Sequence, residues 1–358
     1  MRKLTLLLLI LAFQAQSQWY YCSNPWLANY KYRKVITIKQ TNISSALTSF
    51  PVYVKCDNTI MGALVDQTNF YDIRFTDTLN NVLNFQADSV SSSVGNYWIN
   101  TSLSAIASHP TRIYCYYKNS TSQINGSNTA NTWDANYVSV YHLGQPSLSY
   151  LNDSKGSNNL TNNDGATGVV GKIGRAESFT SSSTQSLSIS NPANFPTGTA
   201  VRTIEGWVKM GANQEETIFG YGANNGVGCR FNIYNYPQST WLLTEIENAG
   251  GRFTFTYTTN WYHIVSVFPA NSTKDDSIKM YYNGVLQTNT NTGTALNTVK
   301  TEFKIGGLAT YTSGLYFTGY VDEVRISNIA RSADWIKFEY YNMNDSDQDL
   351  TWSAVQTR

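Results

Sequence analysis

Between residues 30 and 282 the chain is built of short runs in which apolar and polar side chains alternate, the period of half-buried strands, with turn residues between the runs. Residues 32–38, 51–56, 71–76, 82–86, 97–101 and 111–118 predict a first group of strands. Residues 120–134 lack periodicity, are rich in Ser, Thr, Asn and Gly, and read as a linker. A second group follows at 137–143, 176–179, 186–190, 202–210, 217–221, 229–234, 241–247, 252–257, 261–268 and 278–282. Asn283-Gly284 after the last of these predicts a tight hairpin. Helical spacing of useful length comes only near the end, where Ser332 offers an N-cap and Trp335, Ile336, Phe338 and Tyr340 supply apolar mass. In the strand before it, alternation puts Tyr320, Asp322, Val324 and Ile326 on one face and Val321, Glu323 and Arg325 on the other. Asp322 would then sit among core residues, where a carboxylate must be hydrogen-bonded, paired or metal-bound.

The pattern thus predicts an all-β protein: a β domain over 19–119, a linker over 120–135, a larger sandwich over 136–342 with a short C-terminal helix, and a tail over 343–358. Many short strands at regular spacing make a sandwich. Residues 1–18 carry Arg2 and Lys3, an apolar run over 4–13 and small residues at 15–17, the pattern of a secretory signal peptide. That run is well short of the roughly 20 residues of a spanning helix. The expectation is a secreted, extracellular protein with no membrane span.

Charge narrows the partners. Twenty-five basic and 24 acidic side chains give a net charge of +1, which provides no basic face for nucleic acid. The 25 Tyr, 15 Phe and 9 Trp suit extracellular strands. Of four cysteines (22, 56, 115 and 229), Cys56 and Cys115 fall on two predicted strands of the first domain, and a disulfide between them is the first expectation. Buried free thiols are the alternative.

Two families are resembled. Gly-Tyr-Val-Asp-Glu-Val-Arg-Ile at 319–326 with Ala-Arg-Ser-Ala-Asp-Trp at 330–335, together with Arg-Thr-Ile-Glu-Gly-Trp-Val-Lys at 202–209, Trp-Tyr-His-Ile-Val at 261–265, Tyr-Asn-Gly-Val at 282–285 and Phe-Lys-Ile-Gly-Gly at 303–307, resembles the laminin-G-like, concanavalin A-like lectin/glucanase modules. This implies a concanavalin A-like jelly-roll β-sandwich. The stretches 72–77, 83–85, 97–99 and 113–117 resemble domain of unknown function 2341, with Lys118 where its members commonly have glycine. That family brings no chemistry with it.

Catalytic signatures are missing. Glu245 and Glu247 form the one alternating acidic array, without the third acid of the concanavalin A-like hydrolases, and read as a solvent-facing pair. His109, His142 and His263 show no metal-ligand spacing, and His263 reads as structural. The cofactor that the resemblance implies is calcium. Asp153 and Asn158 match an early loop of that family and would supply oxygens, with Asp322 a further ligand; a turn in which Asp153 bonds its own backbone is the plainer account. Sugar rings pack on aromatic planes, so the binding candidates are Tyr236, Trp241, Tyr311 and Tyr316, with Trp207 lining a groove. The sequence therefore points to a secreted, non-catalytic binding or adhesion protein whose partner is a glycan or a cell-surface protein. A carbohydrate-active hydrolase or lyase and a structural envelope component are the alternatives.

Overall fold

The computed structural model describes residues 26–39, 43–62, 71–90, 94–106, 108–121, 125–144, 151–310, 315–344 and 349–358. Tyr311, Cys22 and the signal segment 1–18 lie outside the described residues.

The first unit has six strands: β1 (Tyr30–Ile38), β2 (Leu47–Asp57), β3 (Arg74–Thr76), β4 (Phe85–Val90), β5 (Val94–Leu103) and β6 (Thr111–Asn119). They form two antiparallel sheets, β1-β6-β3 and β2-β5-β4, packed face to face through Ile36, Ile113, Phe75, Val52, Val54 and Ile99. The second unit comprises β7 (Tyr137–Tyr141), β8 (Thr161–Asn163), β9 (Thr167–Val170), β10 (Arg175–Phe179), β11 (Ser186–Ser190), β12 (Arg202–Met210), β13 (Glu216–Gly222), β14 (Arg230–Tyr236), β15 (Trp241–Glu245), β16 (Gly250–Thr254), β17 (Trp261–Phe268), β18 (Lys279–Tyr282), β19 (Val285–Leu286), β20 (Glu302–Ile305) and β21 (Gly319–Ser327). An eight-stranded sheet, β19-β18-β17-β12-β21-β10-β9 with β7 also on β21, packs on a seven-stranded sheet, β16-β15-β14-β13-β20-β11-β8. Ile204, Val208, Phe231, Ile233, Leu242 and Phe303 fill the space between them, the jelly-roll-like sandwich expected. Asn283 and Gly284 both have positive φ (51° and 78°), as the predicted tight turn between β18 and β19 requires.

The helix, Ala333–Asn344, begins where Ser332 Oγ accepts from Trp335 N at 3.1 Å. It lies between the units. Trp335 and Phe338 pack on Phe50 with centroids 4.7 and 5.2 Å apart, and Asn342 pairs with the Tyr53 backbone through both amide atoms. After it, β22 (Leu350–Trp352) and β23 (Gln356–Thr357) pair antiparallel with β1. The segment expected to be a tail is thus part of the first unit's sheet.

The described part of the predicted linker, 120–121 and 125–135, is also held in place. Asn128 N donates to Phe85 O, Trp133 packs at a tilt on Trp98 with ring centroids 5.4 Å apart, and Asp134 forms a bidentate pair with Arg331 (2.6 and 3.0 Å). Its one aromatic, Trp133, is buried, because one apolar core runs from the first unit through Trp133, Tyr137 and the helix to Trp207.

Strand β21 departs from simple alternation. Opposite β12, Glu205 faces Arg325 but Trp207 faces Asp322, so β21 carries one extra residue. Glu323 takes φ +50° within this bulge. The core face is therefore Val321, Val324 and Ile326, while Tyr320, Asp322 and Arg325 point the other way. Period-two reading placed Asp322 with Val324 and Ile326, and the bulge overturns it.

Candidate functional site

The open face of the seven-stranded sheet carries a cleft of about 530 Å³. Phe231, Ile233 and Leu242 point into the core, which leaves Arg230, Tyr234 and Tyr236 on β14 and Trp241, Leu243 and Glu245 on β15 facing outward. Tyr236 and Trp241 are direct cross-strand partners. Their rings lie 6.5 Å apart at 27°, Tyr234 continues the row at 6.3 Å and 25°, and the Arg252 guanidinium sits 5.0 Å from the Trp241 ring. Two of the sequence-predicted aromatics are thus joined in one wall.

Glu245 and Glu247 are not solvent-facing. Both are buried and both pair with Arg230, Glu245 Oε1 at 3.2 Å. Asn232 Nδ2 donates to Glu245 Oε2 at 3.1 Å and Glu247 N to Oε1 at 2.7 Å. Burial raises the Glu245 carboxyl above its ordinary value despite Arg230. Glu247 and Asn248 make the β15–β16 turn with φ +76° and +55°. Glutamate is uncommon at such a position, and its ion pair to Arg230 holds it there. Arg230 gives no sequence signal, because nothing in a single chain says which cation will cross a sheet to an acidic pair. Two of its N–H groups, Nε and Nη1, remain without protein acceptors at the base of the cleft.

The other aromatic candidates lie elsewhere. Tyr316 sits near Gly307 and Lys304, off the cleft. Trp207 is fully buried and lines no groove. It is on the outer face of the eight-stranded sheet, but Tyr340 (5.8 Å) and His263 (5.2 Å) cover it and its Nε1 donates to Met343 Sδ.

Asp153 and Asn158 share one loop, with their oxygens already taken by donors. Asp153 accepts from Val140 N and Lys155 N at 2.9 Å, and Asn158 Oδ1 from Ala193 N at 2.6 Å. Asp322 is separate: Oδ2 accepts from Ile173 N at 2.9 Å and Oδ1 has no donor. Cys56 and Cys115 are buried free thiols in hydrogen-bond contact, without the expected disulfide between them.

Glu323, read as lying on the face opposite Asp322, is also buried, because the first unit covers this side of the sheet. It accepts from Arg325 Nη2 and His142 Nδ1, both at 2.8 Å. Asp322→Ala, which leaves Ile173 N unpaired, is expected to cost about 1–3 kcal/mol. Glu323→Ala should cost at least as much, since it strands the Arg325 guanidinium and the His142 ring. Urea denaturation of both variants checks this order, and a near-neutral Glu323→Ala would refute it.

Residues 181–337 match the family model described as the concanavalin A-like lectin/glucanases superfamily. No curated protein matches the sequence. Similar solved structures include domain 4 of an extracellular arabinanase from Geobacillus stearothermophilus, in complex with arabinotriose (16% identity, TM-score 0.39, covering 57% of this chain and 98% of that domain). Others are the binding domain of Paraclostridial Mosquitocidal Protein 1 (15%, TM-score 0.43, 57% and 52%) and the botulinum neurotoxin serotype D binding domain (11%, TM-score 0.40, 60% and 52%). The chain spans about half the length of the two toxin binding domains. These likenesses are too distant to transfer a ligand.

Proposed function

We propose that this chain is a secreted, non-catalytic adhesion or binding protein that takes a carbohydrate chain in the cleft beside Trp241. The wall of Tyr236 and Trp241, two near-parallel rings over buried hydrogen-bonding groups, carries this reading. A pyranose presents apolar C–H faces to such rings, while its hydroxyls meet Arg230, Glu245 and Asn248. The first unit, resembling domain of unknown function 2341, acts as the support on which the sandwich is fixed. Glycoside hydrolysis needs one carboxylate to donate a proton and a second to act as base or nucleophile. Here Arg230 bridges the two acids, and both Glu245 oxygens already accept hydrogen bonds.

A glycan array followed by titration calorimetry tests the reading. Trp241→Ala and Tyr236→Ala are each expected to weaken binding at least about tenfold. Retention of no glycan overturns the reading, and release of reducing sugar that stops in Glu245→Gln would make the protein a hydrolase.

A further inference from the structure

Between the helix and the outer face of the eight-stranded sheet, three side chains converge that the cleft does not use. Glu205 on β12, His263 on β17 and Glu339 on the helix each bring a potential ligand atom within 4.8 Å of the other two. Their exposures are 2%, 1% and 1%. Glu205 and Glu339 lie within hydrogen-bond reach of one another; beyond that contact neither Glu205 oxygen nor Glu339 Oε2 has a donor, and His263 Nδ1 has no partner. Arg325 and the Tyr137 hydroxyl take the other oxygen of Glu339.

Two ionised carboxylates cannot face one another in a dry interface unless something positive lies between them. Arg325 offsets one of the two charges; either a proton or a metal ion can offset the other, and the imidazole beside them favours the metal. His263 Nδ1 is buried without a partner, so in the tautomer protonated at Nε2 it offers a lone pair toward the two carboxylates. The second such cluster, Asp88, His142 and Glu323, differs because His142 already pairs with Glu323 at 2.8 Å. One imidazole nitrogen with two carboxylates suits zinc-class ions, whereas calcium takes 6–8 oxygens.

We propose that Glu205, His263 and Glu339 hold a divalent transition-metal ion of the zinc class that fastens the helix to the sheet. The ligands come from three elements, so the ion would tie residue 339 to strands more than 70 positions earlier in the sequence.

The site is closed to solvent, so metal must be supplied during folding. The full chain is to be expressed with added Zn²⁺, purified without chelator and analysed by plasma mass spectrometry. The expected content is about one zinc per chain, with a melting temperature that falls after refolding with chelator and recovers on refolding with ZnCl₂. His263→Ala and Glu205→Gln should drop the content below about a tenth of an equivalent, and His109→Ala should not change it. A wild type without zinc overturns the proposal and leaves a shared proton as the link. Zinc retained in both variants also overturns it, placing the metal elsewhere, for example at Cys56 and Cys115. If the variants do not fold, Co²⁺ incorporated into wild type decides: ligand-field bands without thiolate charge transfer support the site, and thiolate charge transfer or no bands refute it.

Discussion

Arg325→Ala is expected to lower the unfolding free energy by about 3–5 kcal/mol, the range for a buried charge left without its partner. The guanidinium is 1% exposed and donates to Glu323 Oε2 at 2.8 Å and to Glu339 Oε1. It also lies over Trp98 and Trp133, 4.3 and 5.1 Å from their ring centres. Alanine therefore removes a cation from two carboxylates, leaves a void between two indoles, and cuts the charged contact between β21 and the helix. Arg325→Met keeps most of the volume and should be damaging as well, because the stranded acids dominate. Arg325→Met with Glu323→Gln and Glu339→Gln should recover part of the loss. Urea midpoints with unchanged slopes would measure the series. A single variant within 1 kcal/mol of wild type would refute the prediction.

Stability should decline as pH rises from the mildly acidic range into the alkaline range. Burial raises Glu216 to about 8 and Glu177 to about 7, against roughly 4.3 in an unfolded chain. Between those values the unfolded chain has lost protons that the folded chain keeps. The unfolded state then binds fewer protons, so the unfolding free energy falls with rising pH. His142 acts in the same direction. Burial alone would lower its value, but Glu323 and Asp88 outweigh that and raise it. Its contribution is complete below the unfolded value near 6.5 and is lost as pH passes the folded one. Glu323 acts oppositely: His142 and Arg325 overcome burial and lower it, so acid removes its contribution. Melting temperatures at pH 5, 7 and 9 test the slope. Glu216→Gln, which keeps an oxygen for Thr318 N, should flatten it. A slope unchanged in Glu216→Gln, or stability that rises toward pH 9, would show the assignment to be wrong.

Local chemistry made much of the fold legible. Alternation located β11, β12 and β17 to the residue, and the Asn-Gly pair and Ser332 marked a turn and a helix start that the structure forms. What local pattern hid were long-range events. The bulge at Glu323 depends on pairing with β12, and before it, at residues 320–322, the inward and outward assignments are exchanged while 324–326 keep theirs. Trp207 was read as groove-facing because its strand face is polar at Glu205 and Lys209. A helix from beyond residue 330 covers that face, and polar residues beneath a cover look like surface residues in sequence. Tyr236 and Trp241 could be found because one short turn joins them; Arg230 could not, since its partners are on another strand.

The return of the chain to β1 has a consequence for the order of assembly. The sheet that opens the protein lacks β22 and β23 until residues 350–357 have left the ribosome, and by then the whole sandwich has been synthesised. Until that moment one edge of β1 stands unpaired, open to strands of other molecules. Closing it over so long a stretch costs chain entropy, which a folded sandwich reduces by bringing the helix, and the strands after it, back to the first unit. The nascent first half is therefore the stage most exposed to association with other chains, and its protection comes from residues 350–357, made after the whole sandwich.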